Sequence, residues 1–369
     1  MVRFEETFMH FLMKHQERHE RTYNFLLLMD AMISAAKHIQ HYYLTGALKG
    51  NLGLLGDSMN VHGENVMKMD QIAHDIVIHY LKTTGRVIYA VSEESEEIID
   101  LEGDRGRYFV YFDPLDGSSN IPHGLPVGFL FGLAKRNLHG PEDGHLRAGK
   151  EYIGAGMFVI PTGTFTLALK EAGTWRFHID ETMNYVRPTR LMLPEDPRTW
   201  ELSFNASSRH TYSDRVQEWV RKNERHYSFR YLGALAGDFH RILANGGMFM
   251  YPAIVNHPDP KKNRPNGKLR LMYEAAVVAF MAQEAGGAAV DENDLSKRGS
   301  SNDQRIRHHR PTPVELLPRP ARRRRQLWRL CGAAHLPPLP QDGRRAVEAA
   351  LQPALGHPRR ARLAQPPGP

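Results

Sequence analysis

The chain has 369 residues, of which 41% are hydrophobic and 24% charged, a composition typical of a globular, water-soluble protein large enough for two domains. Its single cysteine, Cys331, excludes a disulfide framework and a cysteine-rich zinc site and favours a reducing, cytoplasmic location. The net charge of +7 would suit a nucleic-acid-binding protein. However, residues 295–369 hold one lysine and fifteen arginines against four acidic residues, so the rest of the chain is acidic.

Helices and strands alternate in the first half of the predicted structure. In chain order the predicted elements are helices over 23–43 and 64–81, strands over 86–91, 108–112 and 127–135, and a hairpin over 152–170. Residues 50–63 are rich in Gly, Asn and Ser, so we expect a long loop between the two helices. The apolar stretch 25–33 is interrupted by Asp30, which argues against a signal peptide or a membrane span.

The second half predicts a similar mixture of elements. They are a strand over 202–205, a helix over 213–223 capped by Ser213, a turn and helix over 229–247, a strand over 248–253, and a segment over 267–287 that passes from extended chain into a helix. This order indicates an α/β (α+β) layered sandwich of two mixed-sheet domains, with helices packed between and outside them. We place these domains at 1–190 and 191–291.

An Arg/Pro-rich tail follows at 292–369. It holds half of the chain's 24 prolines and shows no helical or strand period, so we expect it to be disordered. Two explanations stay open: a genuine interaction tail with non-specific affinity for nucleic acid, or a segment that is read out of frame. The abrupt near-loss of lysine favours the second explanation.

The stretch YFVYFDPLDGSSN (108–120) joins a predicted buried strand to a polar turn. Residues 108–112 are an unbroken aromatic and β-branched run, which is typical of a central strand. Asp113 and Asp116 follow in a turn that leads into 118–120, all good helix N-caps. Two carboxylates facing free helix N–H groups suit Mg²⁺ bound together with a phosphate. Aspartates are also common in turns for their own backbone hydrogen bonds.

Further acids lie at places where they could join this pair. Glu93 and Glu94 follow the strand over 86–91, and if the two strands are neighbours, their ends share one crevice. The run SEESEE is also typical of a solvated acidic loop. Asp70, in the first turn of the second predicted helix, also fits simple compensation of the helix dipole, and Glu274 has a similar alternative.

Several segments, in order and at similar spacing, resemble the class I fructose-1,6-bisphosphatase family over roughly residues 10–291. They are NVHGENVMKMD (60–70), VSEE (91–94), FDPLDGSSN (112–120), RYLGALAGDFHR (230–241), GGMFMYPA (246–253) and GKLRLMYE (267–274). The aspartate turn alone would imply only the wider Mg²⁺-dependent phosphatase superfamily, which includes inositol monophosphatases. The later segments make the resemblance specific, and it implies a sandwich of the sugar phosphatase type.

The resemblance implies a role for each matched residue. Positions that match metal ligands are Glu93, Asp113, Asp116, Glu274 and the Leu115 carbonyl. The acids that match the pair thought to activate the attacking water are Asp70 and Glu94. The turn that matches the 1-phosphate site is Gly117, Ser118 and Ser119. The 6-phosphate and sugar site matches Asn205, Arg230, Tyr231, Tyr251 and Lys268, with Arg230 reaching in from a neighbouring subunit.

The resemblance implies Mg²⁺-dependent hydrolysis of the 1-phosphate of fructose 1,6-bisphosphate, in gluconeogenesis or the Calvin cycle. It implies two or three Mg²⁺ ions per site, with Mn²⁺ or Zn²⁺ as substitutes, in a cytoplasmic homotetramer without membrane contact. Sedoheptulose bisphosphate stays open as an alternative or additional substrate. A distant alternative is a nucleic-acid-binding protein that uses the tail. An enzyme that acts on inositol monophosphates is disfavoured by Arg230, Tyr231, Tyr251 and Lys268.

The chain departs from the family pattern at three places. Pro122 stands where an aspartate is expected, and the run NASSRHTY leaves Tyr212 as the nearest tyrosine for the phosphate site. The AMP-binding threonines of the family have no clear match over 22–31. Inhibition by AMP is therefore not an expectation for this chain.

Overall fold

The computed structural model describes residues 5–16, 23–49, 54–59, 65–101, 106–136, 147–193, 200–290 and 315–318. Its helices are α1 (Phe8–Gln16), α2 (Tyr23–Lys49), α3 (Lys68–Thr84), α4 (Asp214–Asn223), α5 (Leu235–Asn245) and α6 (Ala276–Glu284). Its strands through the first half are β1 (Leu54–Met59), β2 (Asn65–Met67), β3 (Val87–Ser92), β4 (Ile99–Asp100), β5 (Tyr108–Asp116), β6 (Val127–Lys135), β7 (Tyr152–Ile160), β8 (Thr164–Leu169), β9 (Gly173–Ile179) and β10 (Tyr185–Leu191). The later strands are β11 (Trp200–Ser203), β12 (Tyr227–Phe229), β13 (Gly247–Phe249), β14 (Gly287–Val290) and β15 (Glu315–Pro318).

An eight-stranded mixed sheet with the order β10-β9-β8-β7-β6-β5-β3-β4 dominates the first half. β3 and β5 run parallel, and the other neighbouring pairs run antiparallel. β5 lies inside the sheet between β3 and β6, so the expectation of a central strand is confirmed. Its side chains are buried from Tyr108 to Leu115, as a strand covered on both faces requires.

Helices cover both faces of this sheet, which gives the layered sandwich that the sequence predicts. One apolar cluster joins the sheet to α1, α2 and α3, and a second joins its other face to α5 and α6. α5 also contacts β11 and β13 of a three-stranded sheet with the order β12-β11-β13. A third apolar cluster joins this sheet to α4. Both pairings of that small sheet are parallel. No helix within the described ranges is long and apolar enough to cross a membrane.

Three elements differ from the predictions. The expected loop over 50–63 contains β1, which pairs antiparallel with β2. Backbone pairing forms this strand although apolar and polar residues do not alternate along it. In the segment 267–287, a π-helical turn (Leu271–Ala275) precedes α6. In the tail, β15 pairs antiparallel with β14, so this piece of the tail is a strand against expectation. Cys331 and the rest of the tail lie outside the described residues.

Close packing at Gly132 generates a stability prediction. A Cβ atom at Gly132 would lie 2.3 Å from Cε2 of the Tyr152 ring, which is fully buried, stacks on Tyr111 and donates a hydrogen bond to the Met272 carbonyl at 2.5 Å. We expect Gly132→Ala to lower the free energy of unfolding by about 1–3 kcal/mol, measured by denaturant titration. Gly154→Ala is the control, because its Cβ would meet its nearest atoms only at 3.4 Å. Equal effects of the two substitutions would contradict the packing argument.

Candidate active site

The candidate site lies where the parallel pairing of β3 with β5 ends. Ser92 pairs with Phe112, and the Glu93 amide donates to the Phe112 carbonyl at 3.1 Å, so Glu93 and Asp113 follow this last pair side by side. β3 and β5 are therefore neighbours, which is the condition under which their acids share one crevice. Asp113 was expected in a turn, but β5 continues to Asp116 because Asp113 still pairs with Leu130 of β6. Parallel strands expose their carboxyl ends at one crevice, which is the usual ligand position in open α/β sheets.

A third acid, Glu274, reaches this edge from the π-helical turn. One carboxylate oxygen each from Glu93, Asp113 and Glu274 lies within 4.8 Å of the others, and all three residues are buried. Single π-helical turns occur often at functional sites because they redirect side chains. Here the turn is fixed to the sheet by the hydrogen bond from the Tyr152 hydroxyl to the Met272 carbonyl.

Burial and mutual repulsion make these acids weak. The pKa of Asp113, which is only 1% exposed, is raised well above its usual range, first by burial and then by Glu93. Burial also raises the pKa of Asp116 and that of Glu274 to about 7, against opposing hydrogen bonds from backbone amides. The cluster is therefore costly to ionise unless a cation compensates it.

Asp116 connects the edge of the sheet that holds the carboxylate cluster to α5. Its Oδ2 accepts the Ala236 N–H at 2.9 Å, so Asp116 caps the first turn of a helix whose own N-cap residue, Ala234, supplies no side-chain bond. The two segments also approach closely at Gly117, where a Cβ would lie 2.7 Å from the Ala234 Cβ. This packing places the aspartate turn beside the loop before α5.

A cation that the sequence reasoning missed lies among the acids. The Arg270 Nη2 atom is 2.6 Å from Glu93 Oε1, and Nη1 is 3.4 Å from Glu274 Oε1. The Arg270 amide also donates to Glu274 Oε2. The spacing of four residues between Arg270 and Glu274 was the available signal, because such pairs meet on one helical face. Arg270 is the internal counter-ion of the cluster.

The donor set fits a divalent metal ion. Asp113 Oδ1 accepts the Leu115 amide at 2.9 Å, whereas Oδ2 is buried and no group within the described residues hydrogen-bonds to it. A buried, unsatisfied carboxylate oxygen beside two further carboxylates is an arrangement that a cation would complete. Oxygen donors of this kind suit Mg²⁺ or Mn²⁺.

A cavity of about 400 Å³ joins this cluster to the other predicted residues. The predicted residues that line it are Asp70, Glu93, Glu94, Asp113, Leu115, Asp116, Gly117, Ser118, Ser119, Tyr231, Tyr251, Lys268 and Glu274. Sequence reasoning did not single out its other lining residues, which include Arg270, Asp238 and Phe249. The acids thus share one cavity with an ammonium group and two phenols.

Asn205 and Arg230 are not among the cavity's lining residues. The Asn205 carboxamide caps a 3₁₀ helix, accepting from the Ser207 amide at 3.1 Å and from its hydroxyl at 2.6 Å. Arg230 is exposed and donates to the Phe229 carbonyl at 2.7 Å. Tyr212 is buried and donates to the Asn205 carbonyl at 2.9 Å, so its hydroxyl is engaged away from the cavity.

The turn after Asp116 differs in detail from the prediction. The helix that it opens is a six-residue 3₁₀ helix, Ser118–His123, and its N-cap is Gly117 rather than one of residues 118–120. Gly117 adopts a left-handed conformation, φ 78°, and makes no side-chain cap bond. The chain can therefore turn tightly and pass close to Ala234.

Asp238 holds the loop that carries Tyr231 into the cavity. Its two carboxylate oxygens accept the Leu232 amide at 2.8 Å and the Gly233 amide at 3.0 Å. Burial raises the pKa of Asp238, and these two amides oppose that shift. Tyr231 itself lines the cavity and is 46% exposed.

Comparisons with known proteins agree with this arrangement. The family model described as "Fructose-1-6-bisphosphatase, N-terminal domain" matches residues 6–186, and the model of the C-terminal domain matches residues 193–306. The similarity thus extends past the boundary at 291 that the sequence reasoning set.

Individual relatives give the same result. The chain is 66% identical over 295 residues to a class 1 fructose-1,6-bisphosphatase of Syntrophus aciditrophicus (strain SB), covering 79% of this chain and 89% of the relative. It is 35% identical over 297 residues to a class 1 enzyme of Nitratidesulfovibrio vulgaris (strain DP4), covering 76% and 86%. A crystal structure of Leishmania major fructose-1,6-bisphosphatase in holo form superimposes with a TM-score of 0.75 at 29% identity, covering 86% of this chain and 96% of that one.

The raised pKa values predict how pH affects the metal-free protein. Asp116 and Glu274 have pKa values of about 7 when folded, above those of unfolded carboxyls, so the folded state holds extra protons between about pH 4 and 7. Stability is lost as the pH rises through this window. Mg²⁺ binds the deprotonated form, so we expect it to raise the melting temperature more at pH 8 than at pH 5.5.

Differential scanning fluorimetry with EDTA or Mg²⁺ measures this shift. Asp113→Asn is the comparison, because it removes one of the repelling charges and should weaken both the pH trend and the Mg²⁺ effect. An Mg²⁺ shift that is equal at the two pH values would count against a metal bound by these acids.

Proposed function

Because the chain belongs to the fructose-1,6-bisphosphatase family, we propose that it hydrolyses the 1-phosphate of fructose 1,6-bisphosphate with Mg²⁺ as cofactor. The observation that carries the proposal is one cavity whose lining combines a buried carboxylate cluster with Lys268, Tyr231 and Tyr251. Such a cavity has groups for a metal-bound phosphate and for a second phosphate. We propose that the enzyme acts in the cytoplasm, in gluconeogenesis or the Calvin cycle.

The proposed metal ligands are Glu93, Asp113, Asp116, Glu274 and the Leu115 carbonyl. Two or three Mg²⁺ ions per site, or Mn²⁺ or Zn²⁺ in their place, would neutralise charge on the reacting phosphate and its leaving oxygen. Arg270 would then be free to contact the phosphate, since the metal would take over its role as counter-ion to Glu93 and Glu274.

Asp70 and Glu94 are the proposed acids that accept the proton of the attacking water. Both line the cavity, Asp70 from the first turn of α3 and Glu94 from the turn after β3. Hydrolysis of a phosphate monoester demands positioning, charge neutralisation and removal of one proton, so a carboxylate beside the cluster supplies the remaining requirement.

The two phosphates would bind at different places in the cavity. We assign the 1-phosphate to the backbone and hydroxyl groups of Gly117, Ser118 and Ser119, next to the acids. The 6-phosphate would be bound by Lys268 with the phenols of Tyr231 and Tyr251. We further propose a homotetramer in which Arg230 of one subunit reaches the site of the next, because Arg230 is exposed and is not among the lining residues of its own cavity. Asn205 would contribute to the 6-phosphate and sugar site.

Domain roles follow from these assignments. In this proposal the domain over 1–190 carries the metal and 1-phosphate groups, and the domain over 191–291 carries the sugar and 6-phosphate groups.

Phosphate release by the purified chain tests the proposed function. We expect release from fructose 1,6-bisphosphate with Mg²⁺, loss of release with EDTA, and slow turnover of an inositol monophosphate. Sedoheptulose 1,7-bisphosphate is a parallel substrate, and a higher kcat/KM for it would transfer the assignment to that sugar. Fast turnover of the inositol monophosphate alone would overturn the proposal.

Glu94→Gln separates a general base from a metal ligand. We expect kcat to fall by about 100-fold or more, because proton removal is lost, while KM and Mg²⁺ affinity stay near the wild-type values. Stopped-time phosphate assays and Mg²⁺ titration calorimetry measure both quantities. If weaker Mg²⁺ binding were the main effect, Glu94 would be a ligand instead.

Lys268→Ala tests the site of the non-reacting phosphate. We expect KM for the bisphosphate to rise with kcat little changed, because the lost interaction is common to the ground state and the transition state. Turnover of fructose 1-phosphate, which lacks the second phosphate, should change little. Similar losses on both substrates would argue that Lys268 acts elsewhere. Lys262→Ala, at an exposed position six residues earlier, is the control.

A further inference from the structure

A histidine that has no assigned role contacts the end of β3, close in sequence to the proposed catalytic acids. His74 is on α3, one helical turn after Asp70, and its Nδ1 atom is 2.8 Å from the Ser92 hydroxyl. Ser92 is the last residue of β3, and its Oγ also accepts the Glu94 amide at 3.2 Å. A chain of two hydrogen bonds therefore runs from α3 to the backbone of Glu94.

One assignment of donors and acceptors uses the serine hydroxyl fully in these two hydrogen bonds. The Glu94 N–H can only donate, so Ser92 Oγ accepts it, and the serine keeps one hydroxyl proton to donate. The neutral imidazole of His74 can accept that proton at Nδ1 when its own proton is on Nε2. Burial lowers the pKa of His74, with Asp75 opposing, which favours the neutral imidazole. Both bonds are satisfied at once in this arrangement.

The imidazole is also fixed by packing against the second strand of the site. Its ring stacks on Phe112, the residue before Asp113, with centroids 5.9 Å apart and planes at 29°. Ser92 is only 1% exposed, so its hydroxyl cannot turn to water without a cost. His74 thus contacts the residues immediately before Glu93 and before Asp113.

We propose that His74 is a positioning residue, which fixes through Ser92 the backbone of the turn that carries Glu93 and Glu94. The inference rests on the proposed function, since it matters for catalysis only if Glu94 acts on the water. We do not expect His74 to contact the substrate or the metal. Its effect reaches the reaction through the orientation of the Glu94 carboxylate, where a displacement of about 1 Å can cost a factor of 100 in rate.

A purely structural histidine is the competing explanation, and two variants of His74 separate the two. His74→Asn keeps an acceptor near the place of Nδ1, whereas His74→Leu keeps apolar volume and removes the acceptor. Ser92→Ala removes the middle of the chain with a smaller change in packing. His79→Leu, at an exposed position of the same helix, is the control.

Steady-state kinetics at saturating Mg²⁺ should show that His74→Leu and Ser92→Ala each lower kcat by about 10- to 100-fold with little change in KM. His74→Asn should retain most of the activity. The double variant should be no worse than either single variant, because both break the same chain. Equal losses in His74→Asn and His74→Leu, additive losses in the double variant, or wild-type kcat in His74→Leu would each overturn the inference.

Hydrogen exchange gives a readout that does not require activity. We expect the Glu94 amide to exchange faster in His74→Leu and Ser92→Ala than in the wild type and in His79→Leu, measured by mass spectrometry on peptides spanning 92–97. Unchanged exchange would overturn the inference even if the enzyme is active. A wild-type protein without Mg²⁺-dependent phosphate release would instead overturn the proposed function, and the catalytic part of the inference with it.

Discussion

Repulsion between buried carboxylates is the constraint on which the rest of the site depends. Glu93, Asp113 and Glu274 have oxygens within 4.8 Å of one another in a place that water does not solvate well. Burial raises the pKa of Glu274 to about 7, and the neighbouring charge of Glu93 adds to this rise. Charges of the same sign at such distances cannot all ionise without compensation. The protein retains an arrangement that weakens its own stability at neutral pH.

Four features of the fold hold these acids and the neighbouring Asp116 against that repulsion. The parallel pair β3 and β5 places Glu93 and Asp113 side by side, and the π-helical turn brings Glu274 to them. Arg270 supplies internal positive charge, and the first turn of α5 donates an amide to Asp116. These supports come from packed strands, helical turns and an ion pair, which preorganises the cluster for a cation.

Much of this arrangement could be predicted from the sequence, because the relevant patterns are local. The aromatic run before Asp113 predicted a buried strand, and the acids after it and after the strand over 86–91 predicted a ligand site at one edge of the sheet. The resemblance to the fructose-1,6-bisphosphatase family then implied which later residues belong to the same cavity; Lys268 and Tyr251 do line it, whereas Asn205 and Arg230 do not. The parts that could not be predicted depend on contacts between distant segments. Arg270 as counter-ion, Asp116 as a helix cap and the His74–Ser92 hydrogen bond become visible only when the elements are packed.

Metal placement in crystals would show whether this cluster binds a divalent cation. Crystals grown with Mn²⁺ should give an anomalous difference peak between Glu93, Asp113 and Glu274, with the Arg270 guanidinium displaced from both glutamates. Crystals of Asp113→Asn grown in parallel should lose that peak. An empty cluster at saturating Mn²⁺, with Arg270 still paired to Glu93 and Glu274, would show that these acids do not form a cation site.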